Sequence, residues 1–140
     1  ARQLNINLPV IGGDALYYPT QLFAKGKDMV EGVMMTLFFH PSQKEEGVQK
    51  FVQSYWKKYG VMPEAVAALS YDAVYLLKTA MEQGGLSRSK IRDYLATVGS
   101  SHPAFKGVTG TIAFDENGDC VKPLVVGVVR HGEIVPLESP

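Results

Sequence analysis

The chain has 140 residues, 46% of them hydrophobic, and 14 Lys+Arg balance 14 Asp+Glu, so its formal charge at neutral pH is zero. That composition supports one packed domain of ordinary size and offers no basic surface for a nucleic acid. With a single cysteine and no apolar run of ~18–20 residues, the chain can form no intrachain disulfide and no bilayer-spanning helix.

In chain order, Leu8–Ile11 reads as a short apolar strand stopped by Gly12-Gly13. A short helix from Pro19 to Ala24 ends near Gly26. Gly32–Phe39 is a nearly continuous apolar run, the pattern of a strand covered on both faces. Glu45–Tyr59 is an amphipathic helix. Val48, Phe51, Val52, Tyr55 and Tyr59 share one face, Lys50, Gln53, Ser54 and Lys57 the other, and Gly60 ends it. A further helix opens near Pro63-Glu64 and runs to about Gln83, where Gly84-Gly85 stops it. Between Ala65 and Leu77 only Ser70 and Asp72 are strongly polar, so this helix demands cover on nearly every side. Ser87 caps a helix reaching about Val98, with Leu86 and Ile91 placed for a hydrophobic staple.

The segment Gly107–Asp119 reads as a strand with its turn attached. Val108, Gly110, Ile112 and Phe114 alternate with Thr109, Thr111 and Ala113, and Asn117-Gly118 tolerates the positive φ of a tight turn. The β-rich run Leu124–Val129 follows, so local chemistry predicts a hairpin. His131-Gly132 makes another turn before Ile134-Val135. Strands alternating with helices define an α/β fold with a parallel sheet. The elements are too few to cover such a sheet and the 65–83 helix together, which points to part of a larger fold.

Asp14 follows a strand and two glycines, on a loop at a strand's carboxyl end, where open α/β sheets bind ligands. A carboxylate there can pair with an ammonium group or cap the following helix, and the residues alone leave both open. Tyr17 and Tyr18 offer an apolar wall with a hydroxyl beside it, or ordinary packing at a helix start. Tyr71 and Asp72 read as packing with a buried hydrogen bond. Gly12-Gly13 lacks the Gly-x-Gly-x-x-Gly pattern of a dinucleotide loop. Asp115, Asn117 and Asp119 alternate like the start of a calcium loop, but Gly118 falls at position 4 and Val126 stands where Glu is required, so a turn is expected. His40, His102 and His131 form no metal-ligand pair, and Cys120 reads as an incidental thiol in a polar turn. No cofactor and no catalytic constellation is expected.

The wording of these pieces resembles the type I periplasmic solute-binding proteins, and most closely the substrate-binding proteins of branched-chain amino acid ABC transporters. The resemblance rests on Pro9–Asp14, Glu31-Gly32-Val33, Phe51 with Tyr55 and Tyr59-Gly60, Pro63, Ala68–Leu77, Ile91–Leu95 and the Phe105-x-Gly107-x-x-Gly110 strand, in that order. It covers only the C-terminal part of such a two-lobe protein. It implies that residues 1–62 belong to the second lobe, 63–123 to the first, and 124–140 to a crossing strand and the return. It further implies an extracytoplasmic or periplasmic binding component of an ABC importer, not an enzyme, that closes by hinge motion on an amino acid. Asp14 would hold the α-ammonium, with Tyr17 or Tyr18 alongside. The implied partners are that ligand, an ABC permease and the missing N-terminal half. Self-association of the fragment is expected through uncovered apolar surface. The beginning, Ala1-Arg2-Gln3-Leu4, reads as the tail of a helix entering a strand, so any export signal is expected upstream. The alternatives are a ligand-sensing domain of a receptor or regulator on the same fold and, behind it, a small α/β enzyme built on Asp14, Asp72 and a histidine.

Overall fold

The structure, a computed structural model, describes residues 8–17, 19–122 and 124–137. Its elements in order are β1 (Ile11–Gly12), α1 (Pro19–Gly26), β2 (Met34–Leu37), α2 (Glu46–Tyr59), α3 (Ala65–Gly84), α4 (Arg88–Leu95), β3 (Phe105–Gly107), β4 (Gly110–Ile112), β5 (Val125–Arg130) and β6 (Glu133–Pro136). Contacts divide the chain into two compact units, residues 1–40 with 124–140, and residues 41–123. The lobe assignment expected from the sequence divides it after 62 and after 123, so residues 41–62, which carry α2, are where the two divisions differ.

The first unit is built on a four-stranded sheet of order β1-β2-β5-β6. β1 lies parallel to β2, with Ile11 opposite Met34, while β2–β5 and β5–β6 are antiparallel. The sheet is therefore mixed rather than parallel throughout. Met35, Leu37 and Phe39 are fully buried, and each withdraws about 1.5–3 kcal/mol of apolar surface from water. Gly127 lies opposite Met35, and a Cβ there would come 2.7 Å from Leu37 Cδ1, so the missing side chain makes room for a core leucine. His131 and Gly132 join β5 to β6 with φ of 53° and 78°, the double positive twist that a two-residue hairpin requires.

The second unit holds the helices α2, α3 and α4 and the β3–β4 ribbon. Leu76 and Ala80 of α3 pack with Tyr94 of α4, Val98 and Ile112, and Ile91, Leu95, Phe105 and Phe114 close the edges. Gly60 ends α2 in the left-handed region, its N–H donating to the Trp56 carbonyl at 2.8 Å. Ser87 caps α4 by accepting from the Lys90 N–H at 3.3 Å. The staple does not form, because Leu86 is 82% exposed.

The expected closing hairpin is redrawn. The strand Gly110–Ile112 pairs backward with Phe105–Gly107, with Val108-Thr109 as the turn. Beyond Asn117-Gly118 only a single bridge, Phe114 with Cys120, continues antiparallel. The β5 run then joins β2 and β6 instead.

Candidate functional site

In the first unit, the chain leaves β1 at Gly12 and turns at once. Gly13 caps a single 3-10 turn over Asp14–Leu16, closed by the Leu16 N–H on the Gly13 carbonyl at 3.1 Å. A Cβ on Gly12 would fall 2.0 Å from Leu16 Cδ1, so the turn is this tight only because residue 12 is glycine. Asp14 is the first residue of the turn and not its cap, and it is exposed. The N-cap position is thus held by Gly13, and Asp14 stands exposed at the carboxyl end of β1.

Tyr17 closes the same turn, its N–H donating to the Asp14 carbonyl at 2.9 Å. Its side chain is buried, with its ring 6.2 Å from that of His40 and tilted by 56°. The turn therefore links an exposed acid, Asp14, to a buried ring, Tyr17, through the backbone. Tyr18 lies outside the described residues. His40 Nε2 donates to the Ile134 carbonyl at 2.9 Å, which fixes the neutral ring with its proton on Nε2. Burial holds its pKa below the ordinary 6.5, and the bond to Ile134 only partly offsets this.

In the second unit the sequence motifs meet. Asp72, buried on α3, accepts hydrogen bonds from the Val108 N–H at 2.8 Å, the Thr109 N–H at 2.8 Å and the Thr109 hydroxyl at 2.6 Å. Lys122 Nζ in turn donates to Thr109 Oγ1. Burial lowers the Lys122 pKa, while the nearby Asp72 charge pulls it back up. A Cβ on Gly107 would lie 2.3 Å from Asp72 Oδ2, and Gly110 has a φ of 104°. The two glycines of the Phe-x-Gly-x-x-Gly strand thus serve different needs: one admits a carboxylate, the other a backbone angle. The expected buried hydrogen bond of Asp72 is present, but its partner strand was not foreseen. A lone acid in an apolar helix announces that a partner exists; which one depends on a fold that brings together residues 36 positions apart.

Beside this clamp lies a hollow of about 880 Å³, lined by Phe51, Tyr55 and Tyr59 of α2, Tyr71 and Tyr75 of α3 and residues 105–108. Its rings follow one another at 4.6–5.8 Å between centroids. Hydrogen bonding to Tyr75, and then burial, raise the Tyr71 phenol above its ordinary 10.0.

The remaining candidates are structural or ordinary. The Asp115 carboxylate accepts from the N–H groups of Asn117 and Asp119, both at 2.9 Å, so the acidic run is a turn. Among the described residues no group of three or more His, Cys, Asp or Glu is placed to hold a metal, and no helix is long and apolar enough to cross a membrane. Cys120 is free and exposed.

With this geometry in place, comparison with known proteins is direct. A family model described as periplasmic binding protein matches residues 1–133. Among solved structures, a leucine binding protein from Thermotoga maritima is 35% identical, with a TM-score of 0.85, over 99% of this chain and 39% of its own. A branched-chain amino acid transporter substrate binding protein from Streptococcus pneumoniae, in complex with isoleucine, is 26% identical with a TM-score of 0.79, over 98% of this chain and 40% of its own. An ABC transporter substrate-binding protein from Desulfitobacterium hafniense, in complex with Leu, is also 26% identical, with a TM-score of 0.79, over 98% of this chain and 38% of its own.

The α/β architecture and the matched family model agree, and the chain belongs to the periplasmic binding protein family, a family of solute-binding proteins. The relatives it is similar to include binding proteins of branched-chain amino acid transporters, the subgroup whose motifs it carries. It spans about two-fifths of their length.

Proposed function

We propose that the protein to which this chain belongs is the extracytoplasmic solute-binding component of an ABC importer, and that it binds a branched-chain or similar amino acid. The observation that carries this reading is the exposed Asp14 carboxylate on the turn after β1. It stands in a chain similar over 99% of its length to a leucine binding protein. Asp14 holds the ligand's α-ammonium through a charge-assisted hydrogen bond. Tyr17 closes the turn that carries Asp14. Residues outside this chain hold the ligand carboxylate. Closure of the complete protein's two lobes by hinge motion presents the loaded form to a membrane permease. No bond is made or broken.

The test is calorimetric titration of the full-length protein with leucine, isoleucine and valine. Replacing Asp14 by Asn removes one charge-assisted hydrogen bond, of about 1.5–3 kcal/mol, and should weaken binding by roughly 10- to 100-fold. An Asp14→Asn protein that binds as tightly as the parent would remove Asp14 from the site. A parent that binds none of the three would overturn the ligand class.

A further inference from the structure

The chain leaves its first unit at His40 and enters its second at Pro41, and the residues on the two sides of that bond are each fastened within their own unit. On the near side Phe39 is fully buried, and His40 Nε2 donates to the Ile134 carbonyl of β6 at 2.9 Å. On the far side the Gln49 side chain of α2 reaches back over the entering segment. Its Nε2 donates to the Pro41 carbonyl at 3.0 Å and to the Gln43 carbonyl at 2.6 Å. The torsions between these fastenings are restricted as well. A proline ring fixes φ at about −65°, and the residue before a proline is confined to extended backbone.

The return passage is built the same way. Lys122, the last described residue of the second unit, donates from Nζ to Thr109 Oγ1, and that hydroxyl in turn donates to buried Asp72. On its other side Val125 is already paired with Leu37 in the first unit's sheet. A freely mobile linker is made of glycine and serine with its backbone unfastened; these passages have the opposite chemistry. We propose that His40 and Gln49 are positioning residues for ligand capture: by fastening the two sides of the 40–41 passage they confine the complete protein to a narrow set of open arrangements, from which closure costs little ordering. Neither acts by touching the ligand. The inference rests on the hinge closure proposed above and not on which ligand is bound. A purely local role for Gln49, closing the loop before α2, would lower the melting temperature and leave the spread of arrangements as it is.

The experiment uses the full-length protein with its native cysteines, Cys120 included, replaced by serine. Two spin-labelled thiols are added, Gln53→Cys on the exposed side of α2 and Glu133→Cys at the exposed start of β6, one in each unit. Pulsed dipolar spectroscopy without ligand gives the spread of their separation. Gln49→Met, which keeps the length of the side chain but removes its donor, and His40→Leu should each at least double that spread. His40→Gln retains a donor for Ile134 and should keep the parent's spread. Calorimetry should show leucine binding weakened about three- to tenfold by Gln49→Met, in proportion to the smaller fraction of molecules ready to close. Parent-like spreads in both Gln49→Met and His40→Leu would overturn the proposal, as would a doubled spread that leaves leucine affinity unchanged. A parent that binds no leucine would overturn the ligand class and not this inference, which the spreads alone then decide.

Discussion

Asp72 and Gly107 make one device. The carboxylate satisfies two buried backbone N–H groups of the Val108-Thr109 turn, and the absent side chain of Gly107 is what lets it approach. Replacing Asp72 by Ala strands those donors, each worth about 1–3 kcal/mol once buried and unpaired, so a loss of about 3 kcal/mol is expected. Replacing Gly107 by Ala forces a methyl against the carboxylate and should cost about 2 kcal/mol. The two changes should not add. With Asp72 truncated, the space at residue 107 is free and the second change becomes nearly neutral. Urea denaturation of the four members of the cycle measures this; strictly additive losses would show that the close approach is not what demands glycine.

At the level of elements, legibility followed the range of the interaction. All four helices could be read, because 3.6-residue periodicity, Gly60 and Ser87 act within a few residues. Strand partners could not. Asn117-Gly118 has the chemistry of a hairpin turn, yet the ribbon closes at Val108-Thr109, a turn held by Asp72 from another element. β5 pairs with β2, nearly ninety residues earlier, an outcome that no local pattern encodes. The candidate site divides the same way. The exposed turn position of Asp14 is legible because a strand, two glycines and an acid are contiguous, whereas the burial of Tyr17 near His40 is not. The α4 start separates local signals that act from one that does not. Ser87→Ala should cost about 1 kcal/mol, because a Lys90 N–H loses its acceptor. Leu86→Glu should be near neutral, because Leu86 is exposed and staples nothing. Thermal melts of the two variants decide this: an equal loss from Leu86→Glu would restore the staple.

For the molecule as a whole, mild acid acts through the half-buried ring of His40. Formal charge is zero and the sequence pI is about 7.1, so mild acid adds little net repulsion. His40 behaves differently. Folding half-buries it as a neutral donor to Ile134, and this desolvation holds its folded pKa below 6.5, whereas the unfolded chain takes up the proton near 6.5. Above that pH both states are neutral at this site, and its contribution to stability is complete. As pH falls through 6.5 the unfolded chain gains a proton that the folded chain refuses. Stability therefore declines, by at most about 1.4 kcal/mol per pH unit, until the folded pKa is reached. The bond to the Ile134 carbonyl favours the charged ring, but desolvation outweighs it. The melting temperature should fall between pH 7.5 and 5.5, and His40→Gln, which retains a donor for Ile134 but cannot titrate, should flatten that part of the profile. Scanning calorimetry at half-unit pH steps provides the comparison. A His40→Gln profile as steep as the parent's would place the acid sensitivity elsewhere in the molecule.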